Sequence, residues 1–324
     1  MEIMEIELEG ERAYRLKNEN LDVIVSSFGA GIFSLCFHNK NMVITPKDYH
    51  EYEKSDGYYG KSVGRIAGRI QKGVLSYRGH DYLVSTNERG NMLHGGKGAF
   101  SYRPFKGKIV GDKLILSLDS KDGDNGFPGD LHLDVIYTLE GDSLLLRFES
   151  TSDIDTPVNF TNHSYFSLGE DYATDLTLRL ASSRVETYDA ELIPLGFEDT
   201  KECLDFRKGK KIGKDIEDPY LHLTLTNGYD HCFHLNEKKN DEAPIALTGK
   251  EVQLSIETSL PAVQVYSGNF CNRAIIASND KPFYPHNSVA IEPVYLPLDY
   301  ESMTNKKGEK KVNTIRYTFF KRGN

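Results

Sequence analysis

Leu21-Asp22-Val23-Ile24-Val25 and Ile32-Phe33-Ser34-Leu35-Cys36-Phe37 flank Phe28-Gly29-Ala30-Gly31, and the reading of this stretch decides the fold. Two β-branched and aromatic runs around a glycine-rich turn predict a β-hairpin. The pattern recurs at Lys113-Leu114-Ile115-Leu116-Ser117-Leu118, Leu131-His132-Leu133-Asp134-Val135-Ile136-Tyr137 and Ser143-Leu144-Leu145-Leu146-Arg147-Phe148. It returns at Leu176-Thr177-Leu178-Arg179-Leu180, Val252-Gln253-Leu254-Ser255-Ile256 and Ile315-Arg316-Tyr317-Thr318-Phe319. Each run alternates apolar and polar residues, as strands do with one face buried and one wet. Helical periodicity is nearly absent, and its best segment, residues 48–55, is short and polar. Strands throughout with Gly, Asp and Asn punctuation predict an all-β protein, a large antiparallel β-sandwich of stacked sheets. No Pro/Ser-rich linker, composition change or fixed-period repeat divides the 324 residues, so 1–324 is expected to form a single domain.

Composition excludes several classes of partner. An apolar fraction of 39% with 27% charged residues is that of a soluble globular protein. The formal net charge of −9 argues against a nucleic-acid backbone and against an anionic membrane surface. The basic cluster Lys306, Lys307, Lys310 and Lys311 reads as a solvated hairpin tip. Cys36, Cys203, Cys232 and Cys271 are scattered and form no C-x-x-C pair, which suits a reducing compartment. The N-terminal residues 1–7 are acidic and alternating, unlike a secretory signal. The longest uncharged run, 23–37, is too short and too rich in Ser and Gly to span a bilayer. A cytoplasmic location is expected.

Several segments carry more polarity than plain sandwich strands need. Asn159-Phe160-Thr161-Asn162-His163-Ser164-Tyr165-Phe166-Ser167-Leu168 reads as a buried strand entering a turn, with His163 among aromatic rings. A desolvated imidazole can be tuned for proton transfer near neutral pH, although burial alone is the commoner reason for such a residue. In Gly64-Arg65-Ile66-Ala67-Gly68-Arg69-Ile70, two arginines four apart on an extended segment point the same way. One could donate forked hydrogen bonds to vicinal hydroxyls, or both could be solvated surface charges. In Asn91-Met92-Leu93-His94-Gly95-Gly96, the glycines let the backbone beside His94 approach a ligand closely. The turn-rich stretch 122–129 lacks the calcium-loop pattern and is expected to be a structured loop near the site. In Gly228-Tyr229-Asp230-His231-Cys232-Phe233-His234, the two histidines fall on opposite strand faces, a poor arrangement for a shared metal. Asp230 suits a carboxylate that accepts bonds from hydroxyls. Glu292, between the apolar run Ala290-Ile291 and Pro293, is expected to be part-buried with a raised pKa, as a general base or in a structural salt bridge.

Taken together these segments resemble the aldose 1-epimerases (galactose mutarotases). The motifs at 64–70, 91–96, 126–129, 162–168, 229–231, 266–270 and around Glu292 occur in that family's order, over nearly the whole chain. The resemblance implies a β-supersandwich with an open cleft for a free monosaccharide and no cofactor or metal. It implies Glu292 as general base and His163 as general acid, with Arg69, His94, Asp230 and Gln264 holding sugar hydroxyls. It is taken to imply a monomer or weak homodimer. Interconverting α- and β-anomers requires a proton off O1 and a proton onto O5, after which the ring opens, C1–C2 rotates and the ring recloses. A carboxylate and an imidazolium on opposite sides of the hemiacetal are expected to do this, each positioned transfer contributing roughly 10²–10⁴ in rate.

The chain departs from the family pattern at Gly68, where asparagine is usual, at Ser167, and at Pro293-Val294 after the glutamate. It has no tryptophan, so any aromatic sugar platform is Phe or Tyr. Three rivals stay open: a non-catalytic sugar-binding or regulatory protein, a glycoside hydrolase using Asp230 and Glu292, and an epimerase for a phosphorylated hexose.

Overall fold

The structure is a computed structural model describing residues 1–237, 242–271 and 273–323. The hairpin at its start forms as read: Leu21–Ser26 pairs antiparallel with Gly31–Phe37, a register shift falling between Ile24 and Val25. Gly29 turns the chain at φ +68°, and a Cβ there would lie 2.7 Å from the Ser101 carbonyl. These strands belong to a five-stranded sheet with Glu2–Leu8, Glu11–Lys17 and Lys40–Asn41.

A broad nine-stranded sheet follows. Its order is Lys106–Val110, Lys113–Ser120, Leu131–Glu140, Ser143–Ser152, Lys311–Lys321, Val252–Thr258, Ile245–Thr248, Thr177–Leu180 and Lys210–Lys211, antiparallel throughout. Alternation sorts its side chains. Leu114, Leu116, Val135, Tyr137, Leu146, Phe148, Leu254, Ile315, Tyr317 and Phe319 are buried in one core. Burying each such side chain contributes about 1.5–3 kcal/mol.

A six-stranded sheet forms the other main layer, in the order Tyr165–Phe166, Val289–Val294, Ala262–Tyr266, Asp230–Leu235, Ser182–Tyr188, Pro194–Asp199. Its inner face supplies Val185, Phe233, Val263, Val265, Val289 and Ile291 to the same core as the broad sheet. The alternate residues on these strands point the other way and line a cavity. The architecture is the antiparallel sandwich expected.

Among the described residues, helix is confined to short pieces. Tyr49–Lys54 lies inside the one segment that read as helical; Asp48 caps its N-terminus by accepting from the Glu51 N–H, and Tyr49 and Tyr52 anchor it. Leu221–Thr226 and Tyr300–Met303 were not anticipated, being too short for periodicity to register. The lysines at 306–311 do not cap a hairpin: Thr304–Asn305 pairs with Thr156–Pro157, whereas Lys311–Lys321 pairs with Ser143–Ser152. Among the described residues, no helix is long and apolar enough to cross a membrane.

Candidate active site

Register on the six-stranded sheet builds the site. Glu292 lies opposite Gln264, and Gln264 opposite Cys232, on successive antiparallel strands. Val185 pairs with Phe233, so the next residue along, Glu186, stands level with Cys232. One row therefore crosses four strands as Glu186, Cys232, Gln264, Glu292. Asp230, two residues before Cys232, shares its face, and its carboxylate accepts from Gln264 Nε2 at 2.6 Å.

His163 enters from the adjoining turn. Its N–H donates to the Lys61 carbonyl and its own carbonyl accepts from the Gly60 N–H, both at 2.9 Å. Asn162 Nδ2 donates to the Gly60 carbonyl at 2.7 Å, and Ser164 Oγ donates to Asn162 Oδ1 at 2.6 Å. The polar neighbours of the histidine thus hold the turn. The imidazole packs among Tyr165, His94, Tyr58 and Tyr266, with ring centroids 4.9, 5.5, 5.8 and 6.5 Å away. Its Nε2 faces Glu292 Oε1 at 3.4 Å, with both residues almost fully buried. The two groups are neighbours, so no sugar ring fits between them. That corrects the expectation that they stand on opposite sides of the hemiacetal.

Burial dominates the electrostatics. It pushes the Glu292 carboxyl well above its usual range, with Asp230 adding and Arg69 opposing. It pulls His163 down to about 4. Burial thus disfavours the charged form of both neighbours, and the adjacent carboxyl and imidazole titrate as one coupled pair. His94 is also pushed well below the ordinary histidine range by burial, and next by His163 and Arg69. Its Nδ1 accepts from the Gly68 N–H at 3.3 Å, which leaves the ring proton on Nε2 as a donor.

Arg69 sits on Arg69–Ile70, paired with Met92–Leu93. Its guanidinium is clamped by Glu88, Nε to Oε2 at 2.8 Å and Nη2 to Oε1 at 3.0 Å. Arg65 does not point the same way. It is 1% exposed and donates to Ser120 Oγ and to the Pro128, Ser120 and Lys121 carbonyls. The irregular backbone between the arginines, with Gly68 at φ +89°, breaks strand alternation. The 122–129 loop consequently receives Arg65 from below and does not line the cavity. Gly95 and Gly96 likewise serve the protein's own backbone, since a Cβ on each would lie 2.1 Å from the Gly64 carbonyl and 2.3 Å from that of Ser85. Gly68 has open space where a Cβ would be.

Arg69, His94, His163, Asp230, Gln264 and Glu292 all line one cavity of about 690 Å³, a volume suited to a small ligand. Aromatic surface comes from Tyr58, Tyr102, Tyr188, Tyr266 and the rim residue Phe270. His94, His163 and Glu292 present one ligand atom each within 4.8 Å of one another, a grouping that a divalent metal accepts.

Glu88 and Glu186 escaped the sequence reading. Glu186 occupies an alternating strand where a polar residue signals the wet face, and periodicity cannot tell open solvent from a cavity. Glu88, in a Gly-bounded turn, reads as an ordinary surface charge.

The profile of a family described as aldose 1-epimerase matches residues 12–318. The galactose mutarotase of Rattus norvegicus is 30% identical over 291 residues, covering 86% of this chain and 84% of that protein. The aldose 1-epimerase of Haemophilus influenzae is 34% identical over 256 residues, covering 76% of this chain and 74% of that one. The crystal structure of galactose 1-epimerase from Lactobacillus acidophilus superposes with a TM-score of 0.89 at 27% identity, over 99% of both chains. With a profile spanning almost every strand described above, the chain belongs to the aldose 1-epimerase family and is an isomerase acting on carbohydrate.

Proposed function

We propose that this chain interconverts the α- and β-anomers of a free aldohexose such as galactose or glucose, with Glu292 and His163 as its proton-transfer pair. The observation that carries the reading is their 3.4 Å approach at the floor of the cavity. The two oxygens of a hemiacetal are bonded to the same carbon, so adjacent groups suit them better than opposed ones. Glu292, as general base, removes the O1 proton while His163, as general acid, delivers a proton to O5. The C1–O5 bond breaks, the aldehyde turns about C1–C2, and reclosure reverses both transfers. Reclosure returns both protons, so the protonation of the pair is restored after each turnover.

Arg69, His94, Asp230 and Gln264 are the groups we assign to the sugar hydroxyls, keeping the opened chain in place while it rotates. Arg69 is oriented for this by Glu88, and Asp230 by Gln264. A neutral sugar suits the cavity better than a phosphorylated one. Its lining carries five carboxyl groups, Asp56, Glu88, Glu186, Asp230 and Glu292, against three cations, Arg69, Arg89 and Lys97. A glycoside hydrolase built on Asp230 and Glu292 would leave His163 without a role. The continuous core from Tyr14 to Phe319 supports one domain, and we take the protein to work in the cytoplasm as a monomer or weak homodimer.

Polarimetry of freshly dissolved α-galactose and α-glucose tests this reading. Added protein should speed the approach to anomeric equilibrium. Sugar binding without acceleration would instead favour the non-catalytic sensor.

A further inference from the structure

Glu186 is a buried cavity carboxyl to which neither the proton transfer nor the sugar contacts above give a role. Glu186 is 7% exposed and lines the same cavity as Glu292. Among the described residues, its Oε1 has no hydrogen-bond partner. Leaving a buried polar atom unpaired is costly, and native interiors rarely do so away from functional sites. The cation nearest in effect, Arg69, is committed to both oxygens of Glu88, and Asp230 competes for it. Burial, reinforced by Asp230 and opposed by Arg69, lifts Glu186 to about 8. At neutral pH it is therefore an uncharged acid that can both donate and accept.

Position limits what this acid can touch. Glu186 and Glu292 are three strands apart, so their backbones are separated by about 14 Å at the usual spacing. A sugar whose anomeric carbon rests on Glu292 and His163 reaches toward Glu186 only with its far end, past Gln264 and Asp230.

We propose that Glu186 is a specificity-determining, substrate-binding residue that hydrogen-bonds a hydroxyl of a neutral aldose remote from the anomeric carbon. The inference deepens the epimerase reading and rests on it. It ascribes sugar choice to a residue in the strand Ser182–Tyr188, outside every motif that carries the family resemblance.

The test compares wild type, Glu186→Gln and Glu186→Leu in polarimetry with galactose and its 3-, 4- and 6-deoxy analogues. The leucine should raise KM for galactose about tenfold or more, the worth of a hydrogen bond to a buried polar group, with kcat nearly unchanged. The amide, which keeps a donor and an acceptor, should stay within about threefold of wild type. For one deoxy analogue, wild type and the leucine variant should have the same KM. Leucine removes a buried ionisable group, so the variant should fold, and thermal melting checks that it does. An active wild type whose leucine variant keeps the same KM for every sugar overturns the proposal, as does a loss confined to kcat. If wild type accelerates no sugar, the epimerase reading fails separately, and calorimetric titration with galactose decides on Glu186. Binding about tenfold weaker in the leucine variant supports the assignment; equal binding, or none to either protein, overturns it.

Discussion

The two faces of the six-stranded sheet are made from the same strands and do opposite work. Val185, Phe233, Val263, Val265, Val289 and Ile291 enter the core. Glu186, Cys232, Gln264 and Glu292 alternate with them and face the cavity. The first set stabilises the fold through lost apolar surface. The second destabilises it, because desolvated carboxyl groups are unfavourable unless neutralised or paired. A period of two lets one segment do both, since a single-residue step exchanges stability for chemistry.

Substitutions should separate the faces, the largest effect coming first. On the cavity face, Glu292→Ala and His163→Ala should each lower kcat of the folded fraction by about 10²–10⁴. Wild-type rates in either variant would dissolve the assigned roles. On the core face, Phe233→Ala should cost about 3–5 kcal/mol of stability, seen in urea melts, and leave kcat of the folded fraction in the same decade. A collapse of kcat at full occupancy of the folded state would blur the division.

A smaller effect is expected in binding. Asp230→Asn should raise KM about tenfold, the scale of one charge-assisted hydrogen bond, with kcat little changed. An unaltered KM would remove Asp230 from the sugar contacts.

The pH profile follows from the shifts. Below about 4, His163 takes a second proton and the pair loses its base. Burial raises the Glu292 carboxyl above its usual range, which moves the loss of the pair's proton toward higher pH. The rate should therefore fall at both ends, with the acid limb near pH 4. A descent centred near pH 6.5, the ordinary histidine value of about 6.5, would contradict the burial argument.

The smallest effect concerns stability. Glu186 has a folded-state pKa of about 8, above an unfolded value of about 4.3. Its contribution is intact below the unfolded value and is lost as pH rises through the folded one. The groups that act on it, Asp230 and Arg69, and those it acts on, Tyr188 and Cys232, remain in Glu186→Gln. That variant should match wild type near pH 4.5 and melt higher near pH 8.5, and equal melting at both would show that Glu186 is not protonated in the fold.

The same two faces explain what the sequence made legible. Alternating runs such as 131–137 and 315–319 became strands because a half-buried sheet leaves a period of two in the residues themselves. Arg65 and Arg69 were misjudged together. Their spacing of four implied one shared face, but Gly68 at positive φ and an irregular chain sent Arg65 into the loop at 120–128. Glu292 stood out through its apolar flanks and following proline. Glu186, flanked by Val185 and Thr187, looked like any solvent-facing strand residue. The contact of His163 with Glu292 joins residues far apart in the chain, and the pairing of Tyr165–Phe166 with Val289–Val294 helps bring them together.

The central claim, that Glu292 and His163 act as one proton-sharing unit, is tested most directly by a double-mutant cycle in the polarimeter. Wild type, Glu292→Gln, His163→Asn and the double variant are compared on α-galactose. Groups that act as a unit lose their joint contribution once, so the double variant should be no slower than the slower single variant. A double variant slowed by the product of the two single losses would mean that the residues act independently, and the shared-proton mechanism would have to be abandoned.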